Sequence, residues 1–159
     1  MRVAGIQRDS ITNGVGVRDV IFVQGCGKRC PGCHNPQTWD YNGGEHRFLG
    51  SLVKELADST NNITISGGEP FDQYYDLVEL CRHFHEQGKT IWIYTGNIVN
   101  PTSVTYKSLA HYVDVIVDGR FVEGLKDPNL RFRGSSNQRL VDLPKSVKAE
   151  QIVLWEEEK

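Results

Sequence analysis

The chain has 159 residues, of which 38% are apolar and 24% charged, with 18 basic and 20 acidic side chains and a net charge of −2. This composition is typical of one soluble globular domain, here residues 1–159, with enough chain for one core. The near balance of charge gives no basis for nucleic-acid binding or for attraction to a membrane surface.

The N-terminal stretch MRVAGIQRDS lacks the apolar segment of a secretory signal, and no apolar run approaches the length of a membrane span. We therefore expect a cytoplasmic protein. In that compartment thiols stay reduced, so clustered cysteines indicate metal or redox chemistry more often than disulfides. The acidic residues 156–158 are expected to form a solvated tail.

The first half of the chain contains two predicted strands and two predicted helices. DVIFVQG (19–25) and NITIS (62–66) are rich in β-branched and aromatic residues, which favours strands. Apolar residues spaced by three and four predict an amphipathic helix over 46–59. A second helix is predicted from about 72 to 87, and Gly88 suits its C-cap.

The second half continues the alternation. TIWIYTG (90–96) and VDVIVDG (113–119) predict strands, with a helix between them at 103–112. Residues 120–137 are glycine-rich and polar without a clear period, which predicts a long loop. QRLVDL (138–143) and QIVLW (151–155) predict late strands that cap the sheet.

Strands that alternate with helices predict βαβ units and therefore an α/β fold with a mostly parallel sheet. In such sheets, ligands bind at the carboxyl ends of the strands. Each glycine-rich or cysteine-rich segment follows a predicted strand: the cysteine loop, SGGEP, YTG and DGR. These four segments are expected to converge on one edge of the sheet.

The stretch GCGKRCPGCHN (25–35) holds Cys26, Cys30 and Cys33 in a C-x3-C-x2-C pattern. Thiolates select zinc, Cu(I) and iron–sulfur clusters, and three of them can hold three corners of a 4Fe-4S cube while one iron stays open. The alternative is a zinc site closed by His34 or Cys81. His34 directly follows Cys33, an awkward geometry, and Cys81 falls on the apolar stripe of a predicted helix, where it is expected in the core.

The stretch GCGKRCPGCHNPQTW resembles the radical S-adenosylmethionine (AdoMet) enzymes, and more closely the anaerobic ribonucleoside-triphosphate reductase activating proteins. NGVGVR, SGGEPF, IWIYTG and the segment 114–139 are similar to that subfamily as well. Gly32 departs from the broad superfamily, which often has an aromatic residue before the third cysteine, but the reductase activators share Pro-Gly there.

The resemblance implies two cofactors and their binding residues. Cys26, Cys30 and Cys33 would hold a 4Fe-4S cluster whose open iron is chelated by the amino and carboxylate groups of AdoMet. The other expected AdoMet contacts are grouped by the part of the ligand that they face. Gly67, Gly68 and Glu69 are expected toward the ammonium, Gly32, Cys33 and His34 beside the adenine, and Thr95 toward the ribose and methionine ends. Asp118 is expected at a polar or cation site near AdoMet. Asp118 can equally be a turn aspartate.

Two further positions keep open interpretations. Related activators have an acidic residue where this chain has Tyr94, which puts a polar or cation site there in doubt. Arg18 is expected on the surface, or else to position the N-terminal loop. The basic loop of residues 120–139 is either a solvated face or a docking surface for a protein partner.

The family's activity implies that one electron from the reduced cluster cleaves AdoMet to methionine and a 5′-deoxyadenosyl radical, which takes hydrogen from a glycine of the reductase large subunit. Reduced flavodoxin or a similar protein is the implied electron donor. The implied fold is a partial, open (β/α) barrel, because the chain is short for eight βα units. Two rival functions are activation of another glycyl radical enzyme, of the formate-lyase type, and a non-catalytic zinc or iron–sulfur binding module.

Overall fold

The computed structural model describes residues 1–157, which form seven strands and four α-helices; residue 158 of the expected acidic tail lies outside them. The elements in chain order are β1 (Arg2–Ser10), β2 (Arg18–Val23), β3 (Glu45–His46), α1 (Leu49–Glu55), β4 (Asn62–Gly67), α2 (Tyr74–Glu86), β5 (Ile91–Tyr94), α3 (Val104–Leu109), β6 (Val115–Asp118), β7 (Arg139–Asp142) and α4 (Leu143–Ala149).

All seven strands belong to one sheet in the order β3-β1-β2-β4-β5-β6-β7. The four strands β2, β4, β5 and β6 are parallel, and they confirm the four strands that the sequence predicts most clearly. Val20, Thr64, Trp92 and Val115 lie side by side across them. The flanking strands β1, β3 and β7 are antiparallel to their neighbours, so the expectation of a mostly parallel sheet holds at its centre and not at its edges.

The two faces of the sheet are covered differently. All four helices pack on one face, where Ile21, Ile65, Ile93 and Ile116 point into the main core. On the other face Trp92 packs with Val115, Val117 and Phe132, and no helix of residues 1–157 contributes to that cluster. Because side chains alternate along each strand, one set packs against the helices and the other set lies on the face that no helix of residues 1–157 covers.

Arg18 fills the amino-terminal end of that open face. Its guanidinium is fully buried and donates hydrogen bonds to Thr64 Oγ1 (2.8 Å), to the Ile63 carbonyl (2.7 Å) and to the Val15 carbonyl (3.0 Å). It also lies 5.6 Å from the centre of the Trp92 ring. Burial lowers its pKa to about 10. The expectation of a surface arginine is wrong, because these carbonyls lie inside the sheet end and Arg18 ties the N-terminal loop to them.

Several element boundaries differ from the sequence expectation. Strands β1 and β3 and helix α4 are additional, and His46 lies in β3, so the helix expected over 46–59 shrinks to α1. A 3-10 turn at Pro70–Gln73 precedes α2. The stretch QIVLW is not a strand and forms only an isolated bridge between Leu154 and Val141. The long loop after β6 is confirmed, with one 3-10 turn at Glu123–Leu125.

No helix within residues 1–157 combines the length and apolar character needed to cross a membrane.

Candidate functional site

The segments that follow β2, β4 and β5 meet at the carboxyl edge of the parallel strands. A pocket of about 120 Å³ opens there. The sequence-predicted residues that border this pocket are Cys26, Cys30, Cys33, Gly67, Gly68, Glu69 and Thr95. The structure therefore brings together seven of the ten residues that the sequence analysis expects to bind the cofactors.

The cysteine loop is held in shape by backbone hydrogen bonds. The Gly25 N–H donates to the Thr38 carbonyl (2.6 Å), and the Cys26 N–H donates to the Trp39 carbonyl (3.2 Å). All three thiols are free and half-buried. Burial raises the pKa of the Cys26 thiol, so at neutral pH a bound cation would have to replace its proton.

The three cysteines border one pocket. Among residues 1–157, no three His, Cys, Asp or Glu side chains converge so that they could hold one metal ion. Three thiols that border one pocket can instead hold a larger group with soft metal centres at several corners, which is the donor set that iron–sulfur clusters use. The residues present thus fit such a cluster.

Gly68 lets the SGGEP turn press against the cysteine loop. A Cβ at Gly68 would lie 2.3 Å from the carbonyl oxygen of Gly25, so both partners in this contact are backbone. The Gly68 N–H donates to the Val23 carbonyl and the Glu69 N–H to the Gly25 carbonyl, each at 2.8 Å. Glycine is required here by close approach, and the two loops form one unit.

Glu69 is the buried charge of the site. Its residue is 1% exposed, and its carboxylate accepts hydrogen bonds from the Thr95 hydroxyl (2.8 and 2.9 Å), the Gly96 N–H (2.8 Å) and the Phe71 N–H (3.0 Å). Lys28 completes the set, with Nζ 3.1 Å from Oε1. A buried carboxylate with this orientation can receive an ammonium group.

Two residues that contact this unit are absent from the sequence prediction. Lys28 lies inside the C-x3-C stretch, and that position between two cysteines is the only signal that could have found it. Tyr41 packs over Gly25 and donates from its hydroxyl to Asp72 Oδ2 (2.7 Å), which joins the segment after the cysteine loop to the turn after Glu69. Nothing in the local sequence of Tyr41 indicates this contact.

A second, larger cavity of about 630 Å³ adjoins the first, and Cys33, Ser66 and Tyr94 border both. His34 lines it as an exposed side chain, with its ring edge-on to Phe121 at 5.4 Å. Gly32 lies at the surface with φ +75°, and a Cβ there would meet the Glu123 side chain at 3.0 Å. His34 and Gly32 thus stand beside the cysteines on the side of the long loop.

Asp118 has a different set of contacts. Its buried carboxylate forms a two-pronged pair with Arg139 (3.0 and 2.6 Å) and accepts from the Val99 N–H (2.9 Å). Among residues 1–157, those bordering the smaller pocket include Val117 and Gly119 but not Asp118 itself. Tyr94 donates to the Phe132 carbonyl (2.5 Å), so it helps to fasten the long loop to β5.

Comparison with known proteins identifies the family of this chain. A family model described as a 4Fe-4S single cluster domain matches residues 12–141. Anaerobic ribonucleoside-triphosphate reductase-activating proteins of Salmonella typhi and Enterobacteria phage T4 are both 37% identical to this chain, over 138 and 139 residues, and that of Escherichia coli K12 is 36% identical over 139. The aligned part covers 80% of this chain in each case, and 90%, 85% and 90% of the three relatives. The chain belongs to the 4Fe-4S single cluster domain family and, within it, to the anaerobic ribonucleoside-triphosphate reductase-activating proteins.

Proposed function

We propose that this protein activates an anaerobic ribonucleoside-triphosphate reductase by generating a glycyl radical on it, with AdoMet and a 4Fe-4S cluster as cofactors. The observation that carries the proposal is the shared pocket of Cys26, Cys30, Cys33 and the Glu69 turn. When bound, the cluster would supply the electron for reductive cleavage of AdoMet, the chemistry from which the glycyl radical on the reductase would arise.

The chain's own residues would bind and orient the cofactors. Cys26, Cys30 and Cys33 would hold the cluster through three irons. Glu69, fixed by the Thr95 hydroxyl and two backbone N–H groups, would accept the ammonium of AdoMet, together with the carbonyls of Gly67 and Gly68. Gly32, Cys33 and His34 would lie beside the adenine. Asp118 would contribute to a polar site near AdoMet, and because its carboxylate is paired with Arg139, it would act by positioning the end of β6.

We further propose that the sheet is the partial, open (β/α) barrel of the radical AdoMet enzymes. Support comes from the placement of all four helices on one face and from the sheet order, which begins at β3 and ends at β7. The larger cavity, walled by Tyr94, Phe121 and Phe132, would admit the glycine-bearing loop of the reductase and keep water from the radical. A reduced flavodoxin or a similar protein would be the electron donor.

Anaerobic reconstitution with iron and sulfide tests this function. We expect the wild-type protein, reduced with dithionite, to release 5′-deoxyadenosine from AdoMet and to raise a glycyl radical EPR signal on the anaerobic reductase. Cys30→Ala should lose both, because one cluster corner is missing. Cys81→Ala is the matched control, since Cys81 is buried in α2 away from the pocket, and it should keep both activities.

Two results would contradict the proposal. One is a colourless protein that holds a single zinc ion and cleaves no AdoMet, which is the behaviour of a binding module. The other is a glycyl radical that forms on a formate-lyase type enzyme and not on the reductase, which would reassign the substrate.

A further inference from the structure

Lys28 is the one charged donor in the described residues that reaches Glu69. Its Nζ lies 3.1 Å from Glu69 Oε1, and its side chain is only 16% exposed although it comes from a loop between two cysteines. The two partners border the same pocket as the three thiols. An ammonium group therefore already stands at the carboxylate where the proposed function requires the ammonium of a ligand.

The Lys28 side chain occupies space that is free only because residue 96 is glycine. A Cβ at Gly96 would lie 2.4 Å from Lys28 Cδ and 2.7 Å from Cε. The lysine stem thus crosses directly over the end of β5 before its ammonium turns to Glu69.

The hydrogen-bonding capacity of Glu69 is filled in this arrangement. Four donors reach the carboxylate: the Gly96 N–H and Lys28 Nζ at Oε1, the Phe71 N–H at Oε2, and the Thr95 hydroxyl, whose single proton lies within reach of both oxygens. A carboxylate offers about four lone-pair sites. A further ammonium can bind strongly only if one donor leaves, and the flexible lysine is the donor that can leave, because the other three are fixed by the backbone or by a short side chain.

We propose that Lys28 is a positioning residue that holds Glu69 in the ligand-free protein and is exchanged for the ammonium of the incoming ligand. This inference rests on the proposed function, in which that ligand is AdoMet. A buried carboxylate left unpaired would be costly, so Lys28 compensates the charge of Glu69 until another ammonium takes its place. The same pairing lowers the affinity for an ammonium-bearing ligand, because the ligand must first displace the lysine.

The test compares two ligands on the reconstituted, cluster-loaded protein by anaerobic isothermal titration calorimetry. S-adenosylhomocysteine carries the ammonium and cannot undergo reductive cleavage in the same way; its desamino analogue keeps the carboxylate and lacks the ammonium. We expect Lys28→Met to bind S-adenosylhomocysteine about tenfold more tightly than wild type, the size of one charge-assisted hydrogen bond, with the analogue changed by less than about twofold.

Two further variants separate exchange from a structural effect. Lys28→Arg keeps the charge and should restore wild-type selectivity between the two ligands. Lys28→Gln replaces Lys28→Met in the test if Lys28→Met does not fold. It should show the same gain in affinity for S-adenosylhomocysteine over the desamino analogue as is expected for Lys28→Met. The ligand-free Lys28→Met protein should melt at a lower temperature than wild type, since Glu69 has lost its cation.

Three results would contradict the exchange of Lys28 for the ammonium of the ligand. The exchange is overturned if Lys28→Met and Lys28→Gln bind S-adenosylhomocysteine no more tightly than wild type does, with the affinity for the desamino analogue as the reference. That result leaves the proposed function intact. If wild type binds neither ligand but releases 5′-deoxyadenosine from AdoMet, the exchange fails and the proposed function stands; if it also releases no 5′-deoxyadenosine, both fail. Tighter binding of both ligands to the same degree also overturns it, because the gain would not depend on the ammonium.

Discussion

At the scale of single residues, the packing of the two loops of the site requires that residue 68 has no side chain. Gly68→Ala would place a methyl group 2.3 Å from the Gly25 carbonyl oxygen, and neither backbone can swing aside. We expect a loss of about 1–3 kcal/mol in the free energy of unfolding, as for overpacking elsewhere. Because the cysteine loop must move away, iron retained after reconstitution should fall as well; urea denaturation and iron analysis measure the two effects.

Gly50→Ala is the control for this prediction. Gly50 lies in α1, and beyond its own helix and chain neighbours no atom of residues 1–157 comes within 4 Å of a Cβ built there. Alanine should therefore leave iron content unchanged and stabilise the protein by about 0.5–1 kcal/mol, because glycine is unfavourable within a helix. Equal iron content in both variants would mean that the contact between Gly68 and Gly25 does not position the cysteines.

Two buried phenols make stability depend on pH in the alkaline range. Burial raises the pKa of Tyr106 to about 12 and also raises that of Tyr94 above its ordinary value. The unfolded phenol loses its proton near pH 10, so above that pH the unfolded state binds fewer protons than the folded state. The free energy of unfolding should be unaffected by these groups below about pH 10 and should fall as pH rises toward 12.

Chemical denaturation between about pH 9 and 11 measures this slope. Tyr106→Phe should make it shallower, because one of the two phenols no longer titrates. A variant that keeps the full wild-type slope would show that the Tyr106 hydroxyl ionises in the folded protein as easily as in the unfolded chain.

The sequence could predict the residues of the site that lie in contiguous motifs. Cys26, Cys30 and Cys33 occupy one loop, and Gly68 and Glu69 occupy one turn, so their spacing carries the chemistry. Lys28, Tyr41 and Arg139 could not be assigned in the same way, because each acts through a partner 21 to 41 residues away along the chain. Such pairs exist only once the strands have brought their ends together.

At the scale of elements, Asp118 and Arg139 join the end of β6 to the start of β7. Asp118→Asn would remove a fully buried charge that accepts hydrogen bonds from Arg139 Nε and Nη2. We expect a loss of about 2 kcal/mol in the free energy of unfolding, since one partner of a largely buried pair is left without its counterion. Thermal or urea denaturation measures the loss.

The companion variant Arg139→Met separates fold from ligand binding. If Asp118 acts only by pairing with Arg139, both variants should lose stability, Arg139→Met more so because it leaves a fully buried carboxylate without its cation. Both should bind S-adenosylhomocysteine with similar affinity. A loss of ligand affinity confined to Asp118→Asn would instead place the carboxylate in direct contact with the ligand.

The central elements could be predicted because β2, β4, β5 and β6 are short, apolar and buried on both faces. Strand β1 has only two large aliphatic residues, Val3 and Ile6, and forms because β2 offers it a partner. Helix α4 did carry a signal: Asp142 caps it by accepting from the Lys145 N–H, and proline occupies its first turn. QIVLW has the composition of a strand, but Trp155 packs against Trp92, and the segment forms only an isolated bridge to β7.

At the scale of the whole molecule, the basic loop after β6 borders the larger cavity and faces outward. Arg131 is exposed there, above the Phe132 ring at 4.4 Å and paired with Glu157. If this rim contacts the reductase, Arg131→Ala should lower the yield of glycyl radical while 5′-deoxyadenosine release with dithionite stays unchanged. EPR on the reductase and chromatography of the nucleoside measure the two quantities.

Arg82→Ala is the matched control, because Arg82 is an ion-paired surface arginine on α2, where it bonds Glu79 and Glu86. It should change neither quantity. A parallel fall of radical yield and nucleoside release in Arg131→Ala would indicate damage to the cofactor site, and no change in either would leave the rim without a docking role.

The burial of Cys81 has a consequence for following the protein in solution. Three cysteines are half-buried at one edge of the sheet, whereas Cys81 is fully enclosed in the core beneath α2. A thiol reagent should therefore modify three groups of the cluster-free folded chain promptly and the fourth only when the core opens. The rate at which Cys81 is modified would therefore report the global unfolding of the protein. A ligand that binds in the pocket should lower this rate by the amount that it stabilises the folded domain.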